Sequence, residues 1–159
     1  MTDCHAKDKM IPVGKLVKVH AEASFKEAMG ALKEAVNLGQ ESLAVMDDDN
    51  RLVGFLTIRL VLRALDTHVV KLPGYAWTAP CLSCSAAGRM RQIGRMRVWE
   101  IMRPLREIYV LEETPVQEVA LVMIKNEIHN LPVVDRELKA VGIIRSASLV
   151  DIFDSFLED

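Results

Sequence analysis

The sequence predicts a mixed α/β (α+β) fold in which two β-α-β-β-α repeats pack face to face about a pseudo-twofold axis. Three observations carry this. First, Leu43–Leu65 lies over Leu131–Phe153 with a shift of 88 residues and no gap. Leu43/Leu131, Val45/Val133, Asp47/Asp135, Val53/Val141 and Gly54/Gly142 are identical, and Met46/Val134, Phe55/Ile143, Leu56/Ile144 and Val61/Leu149 stay apolar. Second, Ser24-Phe-Lys-Glu27 and Thr114-Pro-Val-Gln117 both read as capping boxes upstream of the shared segment. Third, 50% of the 159 residues are apolar but only 5% are aromatic, which suits the aliphatic core of β/α layers.

Taken in order, Leu16–Val19 reads as a short strand and Ser24 as the cap of a helix. That helix carries Phe25, Ala28, Met29, Leu32 and Val36 at helical spacing. The apolar run from Leu43 reads as a strand, Asp47-Asp-Asp-Asn50 as a turn, and the run through Gly54 as a second strand leading into a final helix. The turn's acidic side chains do not make an EF-hand, because no bidentate Glu follows at the required spacing. The second copy repeats the order. Ile108–Leu111 is its strand, and Pro115 suits the first helical position, where no N–H is needed. Val116, Val119, Ala120, Met123 and Ile124 line its helix. A half of about 55 residues buries little apolar surface alone, so the two halves need each other. Their pairing predicts a cleft, a favoured place for ligands. The expected boundaries are 11–66 for the first repeat, 67–97 for a connector and 98–154 for the second repeat.

Charge and motif content exclude several function classes. A formal net charge of −2 argues against a surface built for nucleic acid. No apolar run approaches the roughly 20 residues that cross a bilayer. The polar start, Met1-Thr-Asp-Cys-His-Ala-Lys-Asp-Lys-Met10, has no signal-peptide core, and three cysteines are too few for a disulfide framework. The expected compartment is the cytoplasm. The histidines His5, His20, His68 and His129 fall on different elements with no nucleophile placed beside them, and there is no Walker loop or dinucleotide fingerprint. No catalytic role is expected.

The connector holds two further features. Gly88–Arg97 has four arginines in ten residues, a basic stretch that either forms a solvated face or meets ligand phosphates, an acidic partner or nucleic acid. Cys81-Leu-Ser-Cys84 is either a pair of loop thiols, a redox dithiol or half of a zinc site. Cys4 and His5 are the pair that would complete a tetrahedral set with Cys81 and Cys84.

The element order, Leu131-Pro-Val-Val-Asp135, the glycine that starts each last segment, and Val98-Trp-Glu-Ile-Met-Arg-Pro104 together resemble a tandem pair of cystathionine-β-synthase (CBS) domains. The likeness covers roughly Ile11–Leu65 and Val98–Phe153. It implies a regulatory (Bateman) module that dimerises and binds AMP, ADP, ATP or S-adenosylmethionine in its cleft, with no required cofactor. A separate effector protein would read the ligand state, and neither nucleic acid nor membrane is implied as a partner.

In that family the last segment reads Gly-apolar-apolar-Thr/Ser-x-x-Asp, with the hydroxyl near phosphate and the Asp on the ribose. The first copy has Thr57 in place but Leu60 where the Asp would stand; the second has Arg145 and Ser148 at those two positions. The second copy, with Arg145, Ser146 and Ser148, is the better site, since Ser148 retains a hydrogen bond that Leu60 cannot make. The resemblance places Ile128, His129, Asn130 and Pro132 along the adenine. Arg59 and Arg145 stand near helix starts, where guanidinium and free amides suit phosphate. The alternative is an interaction module whose ligand sites have degenerated. A third reading is a metal- or redox-responsive module through Cys81 and Cys84.

Overall fold

The computed structural model describes residues 4–65, 91, 93–105 and 107–157. Cys81, Cys84 and nearly all of the connector lie outside these. The elements are α1 (Ala6–Lys9), β1 (Ile11–Pro12), β2 (Lys18–His20), α2 (Phe25–Asn37), β3 (Ser42–Met46), β4 (Leu52–Thr57) and α3 (Ile58–Leu65). After the connector come α4 (Val98–Ile101), β5 (Arg103–Pro104), β6 (Val110–Leu111), α5 (Val116–Asn126), β7 (Asn130–Val134), β8 (Ala140–Arg145) and α6 (Ala147–Leu157).

The chain divides into two compact units, one of Val17–Pro104 and one that joins Met1–Leu16 to Leu105–Asp159. Their sheets have the same plan. In the first unit the order is β2-β3-β4-β5, and in the second it is β6-β7-β8-β1. In both, the first pair is parallel and the other two are antiparallel. Both central hairpins carry an irregularity at the same place, between Val45 and Met46 and between Val133 and Val134.

The short edge strands come from segments that precede the other unit's repeat. Cys4–Pro12 and Met96–Pro104 are equivalent: each runs through a short helix to Met-x-Pro and then along a glycine-bearing strand. Asp8 accepts from the His5 backbone N–H at 2.8 Å, as Glu100 accepts from that of Arg97 at 2.9 Å. Val116 donates its backbone N–H to the Cys4 carbonyl at 3.0 Å, and Phe25 donates to the Met96 carbonyl at 2.7 Å. These bonds satisfy amides at the starts of α5 and α2 that have no partner inside the helix.

The paired glycines are explained by this crossing. A Cβ on Gly54 would lie 2.5 Å from the Arg103 carbonyl oxygen and 3.0 Å from Met102 Sδ. A Cβ on Gly142 would lie 2.7 Å from both the Ile11 carbonyl oxygen and Met10 Sδ. Only a residue without a side chain lets the edge strand lie this close.

Each unit has its own aliphatic core. Leu43, Val45 and Leu56 pack with Phe25, Ala28, Leu32 and Val61 in one. Leu131, Val133 and Ile144 pack with Val116, Val119, Met123 and Leu149 in the other. The helical stripes lie slightly differently from the sequence expectation: Met29, Val36 and Ile124 are exposed, while Ala35 is buried.

Ser24 caps α2 as expected. Its Oγ accepts from the Glu27 N–H at 3.2 Å, and Glu27 accepts from the Ser24 N–H at 2.7 Å, which holds the Glu27 carboxyl below its usual range. The second helix departs from the expectation. Pro115, with φ −59° and ψ 144°, is itself the cap residue rather than the first helical one, and no side chain caps α5. Its extended backbone pushes Thr114 outside the helix, and the Cys4 carbonyl takes over the capping role.

The identical aspartates build the hairpin turns. Asp47 Oδ1 accepts from the N–H groups of Asp49 and Arg51 at 3.0 and 2.8 Å, and Asp135 Oδ1 accepts from Glu137 and Lys139, both at 2.9 Å. Each turn then needs a left-handed residue, Asn50 at φ 58° in one and Leu138 at φ 62° in the other. Asn tolerates that conformation, whereas a leucine strains it by roughly 1–2 kcal/mol. Leu138→Asn, at an exposed position, is therefore expected to stabilise the protein by about 0.5–1 kcal/mol, read as a higher thermal midpoint.

Candidate functional site

The β7–β8 hairpin gathers most of the candidate residues at one end. Asn130 opens β7 and Arg145 closes β8, and the two are direct antiparallel partners. Side chains alternate along a strand. Leu131, Val133 and Ile144 face the helices in the core, so Asn130, Pro132, Ile143 and Arg145 project from the other face of the sheet. One residue further out, Ser146 donates its backbone N–H to the His129 carbonyl at 2.8 Å, and Ser146 Oγ lies 3.4 Å from His129 Nδ1. The Ser146 carbonyl then accepts from Leu149 at 3.0 Å as α6 begins.

His129, Asn130, Pro132, Arg145 and Ser146 are thus brought together. Ile128 is not: it is buried in the core with Met123 and Leu131. Ser148 stands half-buried in the first turn of α6. Pro132 also shapes the hairpin's neighbour. Its counterpart Ala44 donates to the Val17 carbonyl at 2.9 Å, and β2 pairs with β3 from Lys18 onward. Proline has no N–H to give, so β6 pairs with β7 only through Val110 and Leu111.

Chemically, the hairpin end offers a guanidinium suited to phosphate, a carboxamide and a hydroxyl–imidazole pair. The Asn130 Oδ1 atom is buried and has no hydrogen-bond partner among the described residues.

The equivalent end of the first unit is built from different chemistry. Ser42 partners Thr57, and the Ser42 hydroxyl is likewise buried without a hydrogen-bond partner among the described residues. Thr57 Oγ1 accepts from the Leu60 N–H at 3.3 Å and so caps α3. Leu60 packs against the core, and Arg59 is exposed on the helix.

Of the proposed metal set, Cys4 and His5 lie beside α1, where the His5 imidazole is 3.9 Å from Asp8. Among the described residues no three His, Cys, Asp or Glu side chains group so as to hold a metal. No helix among them is long and apolar enough to cross a membrane. Sequence reasoning missed the role of Cys4–Pro12. Its signal is the shared acidic-x-Met-x-Pro pattern of Asp8–Pro12 and Glu100–Pro104.

Comparison with known proteins matches the chain to the family described as "CBS domain" over residues 6–67 and 98–155. The uncharacterized protein MJ1225 of Methanocaldococcus jannaschii is 31% identical over 106 residues, covering 66% of this chain and 33% of that protein. The chain therefore spans about a third of the length of this curated relative. CBSX2, a CBS-pair protein of Arabidopsis thaliana, was solved in complex with AMP. That structure has a TM-score of 0.65 and 24% identity, covering 96% of this chain and 97% of its own. The cytosolic domain of the Mg2+ channel MgtE in complex with ATP has a TM-score of 0.61 and 26% identity, covering 93% of this chain and 48% of its own.

Proposed function

The chain belongs to the CBS domain family, and from that premise we propose that it binds an adenine nucleotide at the hairpin end of its second repeat. The ligand state is then passed to a partner protein. Members of the family act as regulatory modules rather than as enzymes, so the chemistry to explain is recognition. The observation that carries the reading is the direct pairing of Arg145 with Asn130 on the sheet face away from the helices, with Ser146 and His129 beside them. Arg145 takes the phosphate, and Asn130, His129 and Pro132 line the base. Ser148, in the first turn of α6, takes the ribose. Two solved relatives hold AMP and ATP, which agrees with this ligand class. A ligand shifts a conformational equilibrium only through its different affinity for the two states, so transmission requires the bound and free forms to differ at the partner surface.

We place the module in the cytoplasm as a homodimer. Leu121 and Ile124 of α5 and Val150 and Phe153 of α6 are 66%, 73%, 63% and 49% exposed, apolar side chains that a second copy would cover.

The test is calorimetry and thermal melting with AMP, ADP, ATP, NAD and S-adenosylmethionine. A nucleotide at 100 times its dissociation constant stabilises the folded state by about 2.7 kcal/mol and raises the midpoint. No heat and no shift at millimolar concentration would overturn the reading. One observation favours the alternative, an interaction module with degenerate sites: Leu60, half-buried against the first core, stands at the position of the family's ribose carboxylate.

A further inference from the structure

We propose that Arg91, Arg95, Arg97 and Trp99 form a docking site on the first unit for an acidic protein segment with an apolar anchor residue. The site gives the partner of the regulatory reading a surface and rests on that reading, while the docking itself is measured without nucleotide. Of the four arginines in Gly88–Arg97, Arg91, Arg95 and Arg97 lie among the described residues, and all three are exposed. Trp99 follows two residues later and is 50% exposed.

The strip is held from beneath. Ile93 and Val98, on either side of Arg95 and Arg97, are buried in the first core. Val98 and Trp99 donate their backbone N–H groups to the Ala23 and Ala21 carbonyls at 2.9 and 3.0 Å. Arg97 Nη1 donates to the Glu22 carbonyl at 2.8 Å. A partner therefore meets a backbone that is already ordered, which removes part of the entropy cost of binding.

The fold itself does not ask for these side chains. In the equivalent segment Cys4–Pro12, His5 and Lys7 stand where Arg97 and Trp99 stand, and the backbone seats in the same way. A half-exposed tryptophan at a position that accepts lysine is available to a partner, and Trp and Arg are the residue types that dominate binding energy at protein interfaces. Nearby acids do not cover the arginines. Glu100 accepts from the Arg97 N–H at 2.9 Å, and Glu27 from the Ser24 N–H at 2.7 Å. Arg91 and Arg95 have no ion pair among the described residues. Their charge calls for acids from outside, and the indole calls for an apolar side chain among those acids. Nucleic acid fits less well: a short strip with one tryptophan, on a chain of net charge −2, offers few phosphate and base contacts.

The test is fluorescence anisotropy of a labelled peptide of Glu-Asp-Leu repeats titrated with the full chain. The same peptide with Gln and Asn for the acids, oligodeoxythymidine and phosphatidylserine vesicles are the comparisons. The acidic peptide is expected to bind, less tightly as salt is raised, and the amide peptide to bind at least about tenfold more weakly. Trp99→Ala, and Arg91→Glu combined with Arg95→Glu, are each expected to weaken binding by about tenfold or more. Lys125→Glu, on α5 of the other unit, is expected to stay within about twofold of wild type. In a Trp77→Phe variant Trp99 is the one tryptophan left, and its emission is expected to shift to the blue as the peptide covers it. A melting curve on each variant confirms that it is folded. No binding of the acidic peptide at millimolar concentration, binding unchanged by the Trp99 and arginine variants, an unmoved Trp99 emission, or tighter binding of the oligonucleotide or the vesicles overturns the site. The nucleotide reading fails separately, on its own titration.

Discussion

Gly54→Ala is expected to lower the thermal midpoint by roughly 5–10 °C. Overpacking costs about 1–3 kcal/mol, occasionally more, and each kcal/mol shifts the midpoint of a chain this size by about 2–4 °C. The new methyl carbon would sit 2.5 Å from the Arg103 carbonyl oxygen, inside any real contact. The neighbour is backbone, so relief requires β5 to leave the sheet. Gly142→Ala is expected to act in the same way through Ile11, with a slightly smaller effect because the contact is 2.7 Å. Gly30→Ala is the internal control. A Cβ there meets nothing within 4 Å, and the residue lies exposed inside α2. Alanine at such a position stabilises a helix by about 0.8–1 kcal/mol. Differential scanning calorimetry of the three variants reads both signs; a Gly54→Ala midpoint equal to wild type would refute the close pairing of β5 against that glycine.

Arg145→Ala is expected to weaken adenine-nucleotide binding by about tenfold to a hundredfold, because a hydrogen bond to a charged group contributes roughly 1.5–3 kcal/mol. Lysine at the same position restores charge but not the planar fork, so Arg145→Lys is expected to fall between the two. Arg59→Ala is expected to leave this affinity within about twofold, since Arg59 lies on the first repeat's α3 and not at the hairpin end of the second repeat. If the module acts only by docking on a partner, no nucleotide affinity exists for Arg145→Ala to change. Isothermal titration of the three variants separates these outcomes.

What was legible in the sequence was local. The Ser24–Glu27 capping box, the Asp47 and Asp135 turns and the two central hairpins all depend on residues a few positions apart, and all formed where their spacing placed them. The edge strands were not legible. Ile11–Pro12 and Arg103–Pro104 are two residues long and carry no alternation, and their partners lie far along the chain. The capping of α5 failed to follow its local signal for the same reason: a carbonyl from Cys4, which no window around Thr114 contains, had taken the role. In the candidate site, the family resemblance pointed to Arg145 and Asn130, but only the strand register shows them opposite one another on one face. Ile128 shows the limit of reading a side chain from its neighbours in sequence, because a residue next to the hairpin can turn inward to the core.

The equivalence of Cys4–Pro12 with Met96–Pro104 also bears on how the protein is made. Strand β1 must wait for β8, whose residues leave the ribosome more than a hundred positions later. The unit of Val17–Pro104 holds all of its strands in one continuous stretch and can close early. The other unit must tie its first residues to its last, a high-contact-order step that slows folding. Loop-closure entropy grows only slowly with the length spanned, so the arrangement delays assembly more than it weakens the finished unit. The order of synthesis and the order of folding are therefore reversed for the half that carries the candidate site.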